Sequence, residues 1–443
     1  MSIPLSRLYH FIEKTAIKNY GGPVVIYCFS PHGSKNIEDL NPLQNSFNSW
    51  YEHVVYPGVW CHDQEPLDYD FFQTQTRHFD YAWPNLTRSL AKKSDSLGSL
   101  NLPGLRANLM YYSHVFSKNL LVHSEQRSRN LEKYTTKSVA VYYWSHALIA
   151  RDWFRYAEHE DFTKNANKRF LIYNRAWTGT REYRLRFGDL LIEHKLTDHC
   201  LTFCSPIENG EHYQTHTFKN PVWRPDHVLE NYFPPSLADA CASADFITED
   251  YRSTEIEIVL ETLFDDQRLH LTEKSLRPIA CKQPFILAAT HGSLQYLRDY
   301  GFTTFDSVWD ETYDTIEDPY ERMQAIINLM LEITAWSDVQ RRDNVQLMAQ
   351  IADHNQKHFF SKDFFDLVIT ELDTNMTKAF DTVKKDPGFD EYTNRWQCLL
   401  QHPEIQNFLS SNQDITQPTQ RQLLQTLKFI EQYPKTIADV NKI

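Results

Sequence analysis

Short apolar runs alternating with helical patterns constrain this chain more than any other feature of its sequence. PVVIYCF (23–29), VWCH (59–62), NLLVHS (119–124) and VAVYYW (139–144) are rich in β-branched and aromatic residues. Runs this short and this continuously apolar suit strands buried on both faces, as in a parallel sheet. A helical pattern such as 101–116 lies between them, and the alternation predicts α/β layering. A second series follows a polar stretch, EHEDFTKNANKRF (158–170). Strands are expected at 170–173, 200–205, 255–264, at PFILAA (284–289) and at TTFD (303–306). Helices are expected at 181–196, 236–244 and at TEKSLRPIAC and HGSLQYLRDYG, the last ended by Gly301. From about 318 the pattern is almost wholly helical, opened by Asp318 as N-cap and Pro319 in the first turn.

The 443 residues leave room for about two or three domains, and 12 glycines argue against long flexible linkers. The expected division is an N-terminal α/β domain over 1–160, a second over 161–320 with the joint near 158–168, and a helical extension over 321–443. No run of apolar residues is long enough to span a membrane, and the N-terminus reads as an amphipathic helix rather than a signal peptide. The seven scattered cysteines read as buried thiols of a reducing, cytoplasmic compartment. Without a leader, the Asn-x-Thr sequons at Asn85 and Asn375 read as chance. A net charge of −13 disfavours a surface that coats nucleic acid, though not a local basic cleft. Cys200-x-x-x-Cys204 has no second pair to complete a metal site, and Asp68-x-Asp70 is too short a pattern to assign one. No nicotinamide fingerprint, Walker A motif, His-Glu-x-x-His or nucleophile elbow occurs.

Three constellations remain. In VWCHDQEPLDYD (59–70) a strand end delivers His62, Asp63 and Glu65 into a loop. Acids at a strand end suit a general base, and a polar turn is the plain alternative. In KRFLIYNRAWTGTREYRLRF (168–187) Lys168, Arg169, Arg175, Arg181, Arg184 and Arg186 face one acid, Glu182. Asn174 and Arg175 follow the strand and Arg181 opens the helix, where guanidinium forks and helix N–H groups favour phosphate. The alternative is a solvated basic face. In the third, Glu261 lies near a strand end, and Thr272 caps a helix whose first turn holds Glu273 and Lys274. A ribose diol would pair with the Glu, a diphosphate with the Lys and the helix N-terminus. A capped helix with first-turn charges is the plain reading. The turn at His291-Gly292-Ser293 allows close backbone approach to the same cleft. Most of the acids in the run 304–323 read as solvated.

TEKSLRPIACKQPFILAATHGSLQYLRDYGFTTFD resembles the donor half of glycosyltransferases of GT-B architecture, with two Rossmann-like domains in series. The pattern is similar to that of α1,3-fucosyltransferases and of phage or marine glycosyltransferases. LIYNRAWTGTREYR and HDQEP resemble further parts of it, over roughly residues 20–320. His270, Leu271 and Thr272 depart from the aromatic and Ser that precede the family's Glu-Lys pair, so the sugar and the nucleotide are not assigned.

The resemblance implies an inverting transfer from a nucleoside diphosphate sugar to an acceptor hydroxyl, without metal or cofactor. It implies Glu273 on the ribose or sugar, Lys274 and Arg175 on the diphosphate, and Asp63 or Glu65 as base. Asn174, Arg181, Glu261, Thr272 and Gly292 complete the candidate donor site. Two acceptors stay open: a glycan, or a hydroxymethylated base in phage DNA, which Trp177 and Tyr183 would stack against. A catalytically inactive two-domain protein that binds a nucleotide or nucleic acid is the alternative of a different class.

Overall fold

The computed structural model describes residues 145–208, 210–234 and 245–384, together with four strands that precede them. Those strands are β1 (Ile26–Cys28), β2 (Val59–His62), β3 (Asn119–His123) and β4 (Val139–Tyr143). They pair in parallel in the order β1-β2-β3-β4. The register sets His62 beside His123, and His123 beside Tyr143.

After β4 come α1 (Ala147–Trp153), β5 (Lys168–Asn174), α2 (Tyr183–Glu193) and β6 (Cys200–Cys204). A hairpin of β7 (Ile207–Glu208) and β8 (Glu211–His212) follows, then α3 (Thr248–Ser253), β9 (Thr254–Leu260), α4 (Glu273–Ala280), β10 (Phe285–Ala288) and α5 (Ser293–Asp299). Three long helices end the described chain: α6 (Pro319–Thr334), α7 (Asp338–Phe360) and α8 (Lys362–Lys384). The second sheet is parallel, in the order β10-β9-β5-β6. The chain is therefore α/β.

The chain divides into two compact units. One carries β1–β4 and, of the described residues, those from Thr370 to Lys384; the other carries the described residues from Ser145 to Ile369. Helices α6 and α7 thus belong with the second sheet. In the first unit the Tyr143 hydroxyl donates to Glu371 at 3.2 Å, and Asn375 donates to the Tyr143 carbonyl at 3.3 Å. Asn375 is buried within α8, which leaves its sequon no exposed amide.

The core of the second unit is the two-sided burial that a parallel sheet requires. Phe170, Leu171 and Ile172 of β5, Ile256 and Ile258 of β9, and Phe285 to Ala288 of β10 are all buried. Each of the Phe, Leu and Ile side chains among them contributes about 1.5–3 kcal/mol. The alternating sequence of β9, TEIEIVL, predicts one wet face, yet all seven of its residues are buried. Arginines reconcile the two. Glu255 meets Arg169 at 2.6 Å and also Arg341 of α7; Glu257 meets Arg277 of α4 at 2.9 Å and accepts from the Tyr251 hydroxyl at 2.9 Å. Arg277 also lies over the Tyr173 ring at 4.2 Å. Burial pushes the Glu257 carboxyl up, against the pull of Arg277.

Helices α2 and α4 end in the same way. Leu196 N donates to Leu191 O and Gln283 N to Pro278 O, across left-handed residues Lys195 (φ 57°) and Lys282 (φ 52°). Glycine usually takes this place, because an L side chain there costs about 1–2 kcal/mol. At the end of α5 the residue is Gly301 (φ 88°), and there the space demands it: a Cβ would stand 2.9 Å from His358 Nε2.

One expectation fails. TTFD is not a strand: Thr303 N donates to Asn355 Oδ1 and Phe305 N to Glu311 Oε1, so side chains take the place of a neighbouring strand. Most of the acidic run is solvated as expected: Asp306, Asp310, Glu317, Asp318 and Glu321 are exposed, while Glu311, Asp314 and the run's one arginine, Arg322, are buried. The Arg322 guanidinium donates to the carbonyls of Phe264, Ile316 and Glu317. The expected helices 101–116 and 236–244 lie outside the described residues.

Candidate functional site

In the second sheet β5 connects to β6 on one side, while β9 and then β10 lie on the other. The strand order therefore reverses at β5, and ligands of open parallel sheets bind beyond the carboxyl ends at such a point. The residues that fill this crevice come from the start of α2. Arg184 donates to Ala176 O at 2.7 Å, to Leu260 O at 2.6 Å and to Glu261 O at 3.1 Å. The Tyr183 hydroxyl donates to Glu261 O at 2.6 Å, and burial pushes that phenol up, so it remains a donor. Asn174, the last residue of β5, is buried and donates from Nδ2 to Arg184 O at 2.9 Å. Its role here is to hold α2 to the strand.

Above this seal runs the turn from Arg175 to Arg181. Arg175 is half-buried directly after β5. Trp177 N and Thr178 N both donate to Glu208 Oε2, at 2.5 and 2.6 Å, and Arg181 Nη2 stands 3.8 Å from Glu208 Oε1. The remaining basic residues of the 168–187 stretch are spent inside the fold. Lys168 donates to Asp198 O, Arg169 pairs with Glu255, and Arg186 stands among Asp189, Glu193 and Asp226. Trp177 and Tyr183 are buried: Trp177 packs edge-on to Tyr213 and His216, and Tyr183 stacks on Phe264 at 4.4 Å. Neither offers a face to a base, which corrects the expectation of a stacking platform.

Glu261 has no exposed surface and accepts from both Thr272 and Ser275. The distances are 2.9 Å from Thr272 N, 2.8 Å from Thr272 Oγ1, 3.2 Å from Ser275 N and 2.5 Å from Ser275 Oγ. Thr262 N donates to it as well, at 3.0 Å. Thr272 caps α4 as expected, accepting from Lys274 N at 3.2 Å. A buried carboxylate therefore holds the amino end of α4 from within. Gly292 is left-handed at φ 82°, and its N–H donates to Asp314 O at 2.8 Å. The Asp314 carboxylate then accepts from Ser293 N and Leu294 N, at 3.1 and 3.0 Å. Both strand-to-helix turns after β9 and β10 are thus closed by an internal acid.

Glu273 and Lys274 stand in the first turn of α4. Glu273 is 2% exposed; its Oε1 accepts from Lys274 Nζ at 2.7 Å, and its Oε2 stands 3.6 Å from His146 Nδ1. Burial opposes the charge, yet Lys274 and His146 together hold the carboxyl down at about 2. The His270 ring meets His146 edge-on at 5.3 Å. The result is a buried carboxylate kept ionised by a half-buried lysine and by one imidazole, His146, which a second imidazole, His270, packs against. That arrangement suits a hydrogen-bond acceptor for a diol.

His146, His270, Glu208 and Asp314 are the site residues that sequence reasoning missed. His146 alone left a signal, since it stands shortly after the end of a strand, as Arg175 does. Asp63 and Glu65 lie outside the described residues. Among the described residues Asp189, Glu193 and His227 could together face a metal ion. Arg186 and the backbone N–H groups of Asp226 and His227 already bond there. Cys200 and Cys204 are buried free thiols, and burial pushes both up. No helix among the described residues is long and apolar enough to cross a membrane. Comparison with protein-family models, with curated proteins and with solved structures finds no match.

Proposed function

We propose that the chain is an inverting, nucleotide-sugar-dependent glycosyltransferase of GT-B architecture, with two Rossmann-like domains and a helical extension. The observation that carries the reading is the Glu273–Lys274 pair. A buried, ionised carboxylate and a half-buried ammonium open the helix that follows β9, beside the strand where the order reverses. The carboxylate suits the ribose or sugar hydroxyls of the donor, and the ammonium suits its diphosphate. Arg175 and Arg181, after β5, add positive charge for the leaving group. The acceptor oxygen attacks the anomeric carbon, the nucleoside diphosphate leaves with the bonding pair, and Asp63 or Glu65 takes the acceptor proton.

The burial of Trp177 and Tyr183 favours a glycan or small hydroxyl acceptor over a base in phage DNA. The second reading, an inactive two-domain protein that binds a nucleotide or nucleic acid, draws on the same Glu273–Lys274 pair and differs in having no turnover. Glu261 and Asp314 already accept from the first N–H groups of α4 and α5, so in either reading a phosphate is met by Lys274 and the arginines rather than by those helix ends.

A thermal-shift panel of nucleoside diphosphates and their sugars, with hydrolysis followed in the same wells, tests both. A ligand at a hundred times its Kd adds about 2.7 kcal/mol of stability. The transferase reading expects one nucleotide to raise the melt, Lys274→Ala to reduce that rise, and Asp63→Asn or Glu65→Gln to abolish turnover with binding intact. Binding that never leads to turnover favours the second reading. No shift with any donor removes the first.

A further inference from the structure

The anion that occupies the turn after β5 comes from the chain itself. Two successive N–H groups, of Trp177 and Thr178, converge on one carboxylate oxygen of Glu208, and Arg181 faces the other oxygen. Consecutive N–H groups aimed at one point form a concavity selective for anions, and this one lies just beyond the strand where the sheet order reverses. The group that fills it is lightly held. Glu208 belongs to a hairpin of two-residue strands whose Ile207 is 55% exposed. The hairpin is tied at its base, where Ser205 Oγ donates to Ile207 O and Tyr213 N to Pro206 O, and along β8, where His212 Nε2 meets Glu230 at 2.8 Å and Glu211 meets His216 at 3.2 Å. A short ladder and side-chain ties that stand near solvent mark a segment that opens at low cost.

We propose that Glu208 is an intramolecular stand-in for a phosphate, and that a diphosphate-bearing ligand displaces it from Trp177 N, Thr178 N and Arg181. A phosphate brings more charge and more acceptor oxygens than a carboxylate to the same donors. The identity of the ligand rests on the transferase reading; the anion subsite does not. Until the hairpin lifts, the carboxylate competes with the ligand, so only the fraction of molecules with the turn vacated is competent to bind. Lifting the hairpin also releases Arg181 from Glu208.

The test is calorimetric titration of the full chain with inorganic pyrophosphate in metal-free buffer. Glu208→Gln keeps the shape and removes the charge, and it is expected to tighten binding about tenfold. Thr178 has φ −72°, which suits proline, so Thr178→Pro removes one donor with no change of φ at that position. In the Glu208→Gln background Thr178→Pro is expected to cancel the gain. If Glu208→Gln does not fold, Glu208→Asp, with the charge kept and the reach shortened, is expected to tighten binding in the same sense. Equal affinity in the folded variant and the parent overturns the proposal, and so does a gain that survives Thr178→Pro. Pyrophosphate has neither base nor sugar. A positive result with it, alongside a silent donor panel, therefore upholds the subsite and retires the transferase reading.

Discussion

Glu273 carries a consequence for acid stability at the scale of a single residue. Its ordinary value is 4.5 and its folded value about 2, so the ionised form is favoured by the fold. The stability it contributes is fully present above 4.5 and is lost as pH falls toward 2. The span corresponds to a contribution on the order of 3 kcal/mol. Glu273→Gln is expected to flatten that acid limb, as measured by urea unfolding at a series of pH values. An unchanged slope would mean that Lys274 and His146 do not hold the charge. The roles of the neighbouring residues were only partly legible. Thr272 as cap and Glu273 with Lys274 in the first turn follow from local sequence, because capping is local chemistry. That Glu261, eleven residues before Thr272, would take up the amino end of the same helix needed the strand-to-helix fold-back, which no local pattern encodes.

At the scale of elements, the pair of β9 and α4 depends on a buried ion pair. Removing one partner of such a pair leaves an uncompensated charge and costs about 3–5 kcal/mol, while replacing both by apolar groups is often neutral. Arg277→Met alone is therefore expected to lower the unfolding free energy by that amount, and Arg277→Met with Glu257→Leu to recover most of it. Denaturant titration of the three proteins reads the difference, and a double variant as weak as the single one would contradict the account. Most strands and helices of this unit follow from periodicity. Two-sided burial of β9 did not, because its acids sit at alternate positions and imitate a wet face; only the arginines from β5, α4 and α7 reveal why the acids are inside. TTFD misled for the opposite reason: a β-like composition whose backbone is satisfied by Asn355 and Glu311.

At the scale of the whole molecule, the chain holds two compact units, each with its own parallel sheet. Multi-unit chains depart from two-state unfolding. A calorimetric scan is expected to give a van't Hoff enthalpy below the calorimetric one, or two resolved transitions. Coincident enthalpies in a single peak would show that the units melt together. Within the second unit, Glu182, Asp189, Glu208, Glu261 and Asp314 each accept from backbone N–H groups of a connecting segment. The chain has only 12 glycines, and among the described residues these acids fix connecting segments alongside four left-handed glycines. A bend dictated by glycine prescribes its own dihedral angles and leaves little latitude for inserted residues. A bend pinned by one acid prescribes only a single point of attachment. The segments between such pins are where this scaffold can lengthen, diversify and acquire new specificities while the sheet beneath them stays as it is.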